Sequence, residues 1–317
     1  MKTLLYLISF LIIFVSPFLG EINIDLKDIF SLEEHLKVVF WDLRVPRTIL
    51  AFFVGSILAI SGLIFQIIFK NDLITPYTLG IASGTTLFSA IFIVFFPLFP
   101  LVFGSVFGSL FTVLVLFLIS KNIYKKSIQN SRNSILLIGI ALSFFYSSAL
   151  MLLFFLSNLQ ESYSIVRFTL GSLDIFGFFP AYVLMLTAFL MIVFIYKMKN
   201  SINLLLISND TAFLKGLNID KITLLILTFI TICVGITISF TGPIGFVGLV
   251  IPHIVKLIYK KSATKLFLPN IFFGGVFLVF CDLVSRLLPT SSTLPIGVVT
   301  AFVGAPFFVY LLVRKRD

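Results

Sequence analysis

Charged residues are scarce in this sequence. They make up 11% of its 317 residues, whereas 59% are hydrophobic and the mean hydropathy is +1.17. In a soluble globular domain about a quarter of the residues are charged, so that class of protein is excluded. Cysteine is also rare. Cys233 and Cys281 show no metal-ligand spacing, and we expect both to be apolar packing residues. A polytopic membrane protein is the class that remains.

Motifs that would supply energy for transport are missing as well. No Gly-x-x-x-x-Gly-Lys-Ser/Thr loop occurs, so the chain does not bind ATP in the usual phosphate cradle. No carboxylate cluster lies within an apolar run, as proton- or sodium-coupled carriers usually require. Asp282, four residues before Arg286, directly follows one such run. We therefore expect no enzymatic activity, no cofactor and no bound metal, and an energy source in another subunit.

What the sequence has instead is long runs without charge. A membrane-spanning helix needs about 20 apolar residues. Two runs are broken, one by Pro97 and Pro100 and one by Thr241-Gly242-Pro243, because proline and glycine interrupt helices. Ten membrane-spanning helices are therefore predicted in an all-α fold, and the short run 266–281 is expected to be completed by residues 282–286. The charge-free runs are 3–20, 48–69, 73–120, 133–160, 175–196, 222–255, 266–281 and 287–313.

The distribution of Lys and Arg predicts the orientation. With the N-terminus in the cytoplasm, 17 basic residues lie inside and six outside, whereas the acids divide four inside and nine outside. Both basic termini are then cytoplasmic, which requires an even number of spans. We predict one transmembrane domain, residues 1–317, with an outer amphipathic segment at 21–47. Residues 1–20 also resemble a signal peptide, but they lack a small-x-small cleavage site, and we expect a retained first helix.

Glycine and proline cluster at two places at membrane depth, in residues 242–253 and 75–84. Broken helices are tolerated there only where protein or a water-filled path satisfies the freed backbone groups. The clusters are therefore either packing joints or hinges of a translocation path, and composition alone favours a packing joint at 242–253. Two glycine pairs with a common spacing of seven also suggest two inverted five-helix halves, a transporter signature. These pairs are Gly55 with Gly62 and Gly235 with Gly242.

Four segments carry a resemblance to a known family. They are Leu43-Arg44-Val45-Pro46-Arg47-Thr48, Asn71-x-Leu73-x-x-Pro76-Tyr77-x-Leu79-Gly80, the cluster Gly242–His253, and Leu294–Phe308. Together they resemble the FecCD-type permeases, the membrane subunits of bacterial ABC importers for iron–siderophore complexes, haem and cobalamin. The likeness runs from about residue 40 to the C-terminus. It implies ten helices per subunit, a channel of two permease copies, two cytoplasmic ATP-binding subunits and an external substrate-binding protein.

The sequence departs from the family pattern at two places. The usual Asn-Pro-Leu-Ala-Asp-Pro is Asn71-Asp72-Leu73-Ile74-Thr75-Pro76 here, and the usual Gln-Trp before Gly171-Ser172-Leu173 is Arg167-Phe168. The first departure affects the turn between the second and third spans.

The resemblance also assigns roles to individual residues. Outer arginines of the family receive acidic side chains of the binding protein, and the matching residues are Arg44, Arg47 and Arg286. A helix-end pair with Asp282 is the alternative for Arg286, and the two roles are compatible. The segment 198–221 is expected to couple to the ATPase. The alternative for this segment is a solvated loop helix. The coupling residues are Thr211, Ala212, Leu214 and Gly216. The candidate hinges of the translocation path are Pro76, Gly80, Gly84, Gly242, Pro243, Gly245 and Pro252.

These expectations define one function and its alternatives. The chain is expected to be a multi-pass permease subunit of the bacterial cytoplasmic membrane, for an iron chelate, haem or cobalamin, with alternating access driven by partner ATPases. Its partners are a second permease copy, identical or not, the ATP-binding subunits, the binding protein and membrane lipid, but no nucleic acid. A secondary active transporter of a small solute is the alternative. A membrane-embedded enzyme would need polar residues that converge at one depth, which the sequence does not show.

Overall fold

The structure is a computed structural model that describes residues 2–20, 34–124, 131–207, 218–259, 263–288 and 294–314. All regular secondary structure within these ranges is helical, in agreement with the predicted all-α fold. A π-helical turn, Val39–Arg44, leads into α3, and a 3₁₀ turn, Ala263–Leu266, leads into α12. The α-helices are α1 Lys2–Val15, α2 Glu34–Val38, α3 Val45–Phe69, α4 Ile81–Phe95, α5 Leu101–Tyr124, α6 Ser131–Leu156, α7 Leu159–Leu170, α8 Phe179–Lys197, α9 Lys199–Ile207, α10 Ile219–Thr241, α11 Val247–Tyr259, α12 Phe267–Leu287 and α13 Ile296–Arg314.

Six helices of the described part are long and apolar enough to cross a membrane, and four shorter apolar helices accompany them. The breaks expected near Pro97 and Gly242 are confirmed, because α4 ends at Phe95 and α10 ends at Thr241. Helix α12 continues to Leu287, as expected. The six long helices are Leu36–Phe69, Leu101–Ile119, Ile135–Leu156, Phe179–Lys197, Ile219–Thr241 and Phe267–Leu287, and the shorter ones are Thr3–Val15, Ile81–Phe95, Val247–Tyr259 and Ile296–Tyr310.

Helix α3 lies at the centre of the helix bundle. It is apolar on all sides, as expected of a helix inside a larger assembly of helices, and most of its residues are buried. It packs against α12, α11 and α8. Gly55 faces Gly274 of α12, and Gly62 faces Gly248 of α11, so closely that a Cβ at either position would overlap the facing backbone. Small residues thus let α3 approach both neighbours at backbone distance.

A second close pair of helices mirrors the first. Helix α10 packs mainly against α5, as α3 packs mainly against α12. Gly235 of α10 faces Ser109 and Val106 of α5, where a Cβ would lie 2.7 Å from the Ser109 hydroxyl oxygen. Gly235 is therefore at a helix crossing, as Gly55 is. Gly242 differs from Gly62, because it ends α10 with a φ of 66° and faces the Phe168 carbonyl at the end of α7, whereas Gly62 lies inside α3 and faces Gly248 of α11.

Helix α1 packs on α12 through aromatic rings. Tyr6 lies 5.3 Å from Phe272 and 5.4 Å from Phe273 between ring centroids. The Tyr259 hydroxyl of α11 donates a hydrogen bond to the Tyr6 hydroxyl at 2.6 Å. Edge and tilted aromatic contacts of this kind stabilise packing beyond the area that they bury. Helix α1 is therefore an integral part of the helix bundle in this structure.

Candidate functional site

Four parts of the chain meet at one end of the helix bundle. They are the residues after α1, the start of α3, the loop after α7 and the end of α12. Each contributes a polar or charged side chain to the same small region. These four parts are all on the side predicted to be external. We call the space between them the arginine cavity; its volume is about 470 Å³, and it is lined by Gly20, Val39, Leu43, Arg44, Arg47, Asp174, Ile175, Phe176 and Arg286.

Arg47, one of the three predicted docking arginines, has two carboxylate partners. Its Nε donates a hydrogen bond to Asp282 Oδ1 at 2.7 Å, and its Nη1 donates one to Asp174 Oδ1. The two aspartates come from α12 and from the loop after α7. A guanidinium with two carboxylate partners is well compensated for its loss of water.

Arg286 ties the end of α12 to the segment after α1. Its Nη2 donates to the Ser16 hydroxyl at 2.7 Å and to the Ser16 carbonyl at 3.1 Å, and its Nη1 donates to the Leu19 carbonyl at 3.2 Å. Its Nε lies 3.0 Å from Asp282 Oδ2, an ion pair whose angles fall short of a hydrogen bond. The helix-end pair considered from sequence is therefore present, and Arg286 also lines the cavity.

Arg44 completes the group from the turn before α3. Its Nη1 lies 3.4 Å from the carbonyls of Pro17 and Phe18 and donates to both. Gly20 packs so closely that a Cβ there would lie 2.7 Å from Arg44 Nη2. A side chain at position 20 would therefore displace the guanidinium.

The structure thus brings the three predicted docking arginines together but buries them more deeply than an outer surface suggests. Each is only 8% exposed. Asp282 and Asp174 supply carboxylates to Arg47 and Arg286, and Arg44 binds the carbonyls after α1, so three guanidinium groups meet at one cavity. Low-dielectric walls strengthen its attraction for an anion. What the arrangement can do chemically is bind a carboxylate or another small anion by charge-assisted hydrogen bonds.

Asp174 is a site residue that the sequence reasoning missed. It lies in the loop after α7, whose backbone is fixed by hydrogen bonds from Ser172 N–H to the Thr241 carbonyl at 2.8 Å and from Ile296 N–H to the Gly171 carbonyl at 3.1 Å. The Ser172 hydroxyl donates to Asp174 Oδ2 at 2.8 Å. No motif or spacing indicated that this loop would reach Arg47, because their contact spans 127 positions of sequence.

The first group of candidate hinges surrounds the start of α4. The Pro76 carbonyl accepts hydrogen bonds from the N–H groups of Ile81 and Ala82, and Gly80 caps the helix with a φ of 76°. Gly84 faces Thr112 of α5, and a Cβ there would overlap the Thr112 hydroxyl. All three positions therefore have packing or turn requirements in this conformation.

The second group extends from the end of α10 into α11. Gly242 adopts a φ of 66° and faces the Phe168 carbonyl, so closely that a Cβ would overlap it. Pro252 is buried within α11. Gly245 is different, because a Cβ there meets no atom of the described residues within 4 Å. Gly245 is thus not required by packing.

A second cavity lies between these two groups. Its volume is about 230 Å³, and because several hydroxyl groups line it we call it the hydroxyl cavity. None of its lining residues is charged. Tyr146 of α6, one of them, accepts a hydrogen bond from Thr112 at 3.2 Å. Its lining is formed by Tyr77, Ala82, Ser83, Thr86, Tyr146, Ser147, Leu150, Thr169 and Pro243.

The opposite end of the helix bundle carries a smaller polar group. Lys256 Nζ, at the end of α11, donates to Asp72 Oδ1 at 2.7 Å and to Gln66 Oε1 at 3.0 Å. Asp72 is one of the residues at which the sequence departs from the family pattern, so a lysine partner accompanies the departure. The coupling residues Thr211, Ala212, Leu214 and Gly216 lie outside the described residues. Within the described ranges, no group of three His, Cys, Asp or Glu side chains could hold a metal ion.

Comparison with known proteins gives one family. The model of the FecCD transport family matches residues 7–314. A Helicobacter pylori protein that carries the name of an iron chelatin transport system permease is 32% identical, over 93% of this chain and 90% of its own length. The vitamin B12 import system permease protein BtuC of Vibrio vulnificus is 28% identical, over 99% and 95%. The Fe(3+)-citrate import system permease protein YfmD of Bacillus subtilis is also 28% identical, over 100% and 96%.

Solved structures agree with this result. A metal-chelate type ABC transporter in an inward-facing conformation matches with a TM-score of 0.86 and 26% identity, over 98% of this chain and 97% of that one. PsaBC from Streptococcus pneumoniae shares the fold, with a TM-score of 0.57 and 14% identity over 90% and 93% of the two chains.

Proposed function

Because this chain belongs to the FecCD transport family, we propose that it is the membrane-spanning permease subunit of an ABC importer whose cargo is an iron chelate, haem or cobalamin. The relatives named for iron chelatin, vitamin B12 and ferric citrate support this range of cargo. The family is one of transport permeases and not of enzymes, and ATP is hydrolysed by a separate subunit. The alternative of a secondary transporter is not retained, since family membership gives no support to it.

The proposed topology has ten membrane-spanning helices in one domain, residues 1–317. The chain lies in the bacterial cytoplasmic membrane, and both termini are in the cytoplasm. Ten apolar helices, six of them long, support the number. The two matching pairs, α3 with α12 and α10 with α5, support two inverted five-helix halves. An inverted repeat relates the second span to the seventh and the ninth to the fourth, and those are the helices that pair.

The arginine cavity is the proposed docking site of the substrate-binding protein. The observation that carries this proposal is the convergence of Arg44, Arg47 and Arg286 on one cavity. A partner that offers acidic side chains would be oriented by it, since complementary charge sets approach and register. The segment 21–47 supplies part of the cavity wall through Val39 and Leu43.

The hydroxyl cavity is the proposed start of the translocation path. It is uncharged, and the candidate hinges Pro76, Gly80, Gly84, Gly242 and Pro243 lie in or beside its walls. Helix α6 adds a face of large apolar side chains that is exposed in the single chain, including Phe144, Phe145 and Leu152. A second permease copy and membrane lipid would cover such a face. Gly245 and Pro252 do not line this cavity, and their hinge role rests on their position in α11.

A charge-removal experiment tests the docking proposal. Arg44→Gln keeps a donor for the Pro17 and Phe18 carbonyls but removes the charge. Association of the importer with its binding protein should weaken by about 30-fold, the equivalent of about 2 kcal/mol for a desolvated charged contact. Its salt dependence should also decrease. Lys37→Gln is the matched control, because it removes the same charge from an exposed position on the same side. Equal affinities of Arg44→Gln and wild type, with normal basal ATPase activity, would exclude the docking role.

Coupling to the ATPase is proposed for residues 198–221, with Thr211, Ala212, Leu214 and Gly216 at the contact. A bulky side chain at Ala212 or Gly216 should abolish the stimulation of ATPase activity by the loaded binding protein. Asn200→Leu is the control, because Asn200 is exposed in α9 of the same segment. Normal stimulation in Gly216→Leu would contradict this part of the proposal.

A further inference from the structure

Asp174 lies between two arginines of different exposure. Its Oδ1 accepts a hydrogen bond from Arg47 Nη1 inside the arginine cavity. Its Oδ2 lies 3.9 Å from Arg167 Nη2 on the outer side. The Arg167 side chain is 65% exposed and that of Asp174 is 35% exposed. One carboxylate thus bridges a buried and an exposed guanidinium.

Asp174 occupies the Arg47 guanidinium, the group that an acidic side chain of a docking partner would bind. Arg47 is saturated on two sides, by Asp282 and by Asp174. Asp282 is fully buried and also pairs with Arg286. Its departure would therefore remove a carboxylate partner from two buried arginines in a site of low dielectric. Asp174 is the exchangeable member of the pair, because it is partly exposed and comes from a loop. An incoming carboxylate therefore has to take the place of Asp174.

We propose that Asp174 is an intramolecular substitute for the partner's carboxylate, held at Arg47 while no partner is docked and transferred to Arg167 when one is. The inference rests on the proposed docking function of the arginine cavity. It gives that cavity a chemical selectivity: a partner without an acidic side chain at the Arg47 position cannot displace Asp174.

The exchange is physically favourable for two reasons. Removing the only exchangeable partner of a buried arginine is strongly destabilising, whereas replacing one carboxylate by another keeps the charge compensated. Asp174 does not lose its own compensation on leaving, since Arg167 lies within reach and the Ser172 hydroxyl already donates to Oδ2 at 2.8 Å. The arginine cavity, at about 470 Å³, falls in the volume range of ligand sites and has room for an acidic side chain.

Two features of this sequence work together in the exchange. Arg167 stands where the family pattern has glutamine, and Asp174 follows the Gly171-Ser172-Leu173 motif by one residue. A glutamine at 167 would give Asp174 no second positive charge. The exchange is assigned to this chain because Arg167 gives Asp174 a second positive partner.

The test uses the permease assembled with its ATPase subunits in lipid nanodiscs, and the fluorescently labelled substrate-binding protein of the same importer as the probe. Asp174→Asn should tighten association by about fivefold or more, as expected when one of two competing ligands for a site is removed. Asp42→Asn is the matched control, since Asp42 lies at the same end of the molecule and the change in charge is the same. Asp174→Ala repeats the test with a second neutral side chain.

Unchanged or weaker association in both Asp174 variants, with normal basal ATPase activity, would overturn the proposal. Weaker binding would mean that Asp174 orients Arg47 for the partner instead of competing with it. Failure of the docking function itself is recognised separately, because then Arg44→Gln also leaves the affinity unchanged.

A double-mutant cycle tests the transfer to Arg167. Arg167→Gln should weaken association in the wild-type background, because the displaced carboxylate loses its second partner. In the Asp174→Asn background the same substitution should have a smaller effect, since no carboxylate is displaced. An equal loss in both backgrounds would show that Arg167 acts only as a surface charge, and it would overturn the transfer.

Discussion

Gly62→Ala should destabilise the permease, because α3 and α11 cross at backbone distance at this residue. A Cβ on Gly62 would lie 2.6 Å from the Cα of Gly248, and ordinary van der Waals contact begins at 3.4 Å. The Gly248 carbonyl group lies closer still, so the two helices would have to part by more than about 0.8 Å there. The obstacle is helix backbone and not the end of a flexible side chain, so no rotamer change relieves it.

Two opposing effects decide the magnitude. Overpacking a well-packed interior costs about 1–3 kcal/mol, and the upper half of that range is expected where backbone is the obstacle. Replacing glycine by alanine inside a helix contributes up to about 1 kcal/mol in the other direction. The net loss should be about 1–2 kcal/mol. The hydrogen bond from Gln66 to the Gly248 carbonyl, already long at 3.4 Å, should be lost as the helices separate.

Thermal unfolding of the detergent-purified permease, followed by size-exclusion chromatography of heated samples, measures the effect. Gly62→Ala should lower the apparent melting temperature by several degrees. Gly245→Ala is the matched control, since a Cβ at Gly245 meets no described atom within 4 Å, and it should leave the melting temperature unchanged. If Gly62→Ala were as stable as Gly245→Ala, the close crossing of α3 and α11 would be refuted.

Two further predictions concern the ends of the helix bundle. Arg286→Lys should loosen the segment after α1, because an ammonium group cannot bind both the Ser16 hydroxyl and the Leu19 carbonyl as the guanidinium does. A cysteine introduced by Leu19→Cys should then react faster with a membrane-impermeant maleimide. Arg167→Lys is the control, and an unchanged reaction rate in Arg286→Lys would contradict this role. The partly exposed pair of Lys256 with Asp72 should contribute only about 0–1 kcal/mol to the free energy of unfolding. A double-mutant cycle with Lys256→Gln and Asp72→Asn measures this contribution as a coupling energy. A larger coupling energy would contradict the prediction.

Helix positions were predictable because they depend on local properties of the sequence. A charge-free run of sufficient length specifies a helix wherever it lies in the fold, and Pro97, Pro100 and Gly242 interrupt helices by their own backbone chemistry. Helix α7 was missed, although its start carries a recognisable signal. Asn158 and Glu161 form a capping box, in which each side chain accepts a hydrogen bond from the other residue's backbone N–H. A search for caps outside the apolar runs would have found this helix.

The site was predictable only in part, because its geometry depends on contacts between distant segments. The identity of the arginines follows from the family pattern. Their burial does not, since it requires the carbonyls after α1 and the carboxylates of Asp282 and Asp174 to meet Arg47 and Arg286. The Arg47–Asp282 contact spans 235 positions. No periodicity or composition specifies which loop closes over a helix end at that separation.

The contacts around Asp282 also explain why arginines are tolerated on the side where the positive-inside bias disfavours them. The bias is a tendency in the count of Lys and Arg, and it does not exclude a basic residue whose charge is compensated in the folded protein. Arg47 and Arg286 share Asp282, and Arg47 also binds Asp174, so two positive charges are balanced by two negative ones within one cluster. Of the six basic residues predicted outside, these two add no net charge there. Arg44 binds the carbonyls of Pro17 and Phe18 and does not share Asp282, so removal of its charge tests docking without breaking the pairs of Arg47 and Arg286.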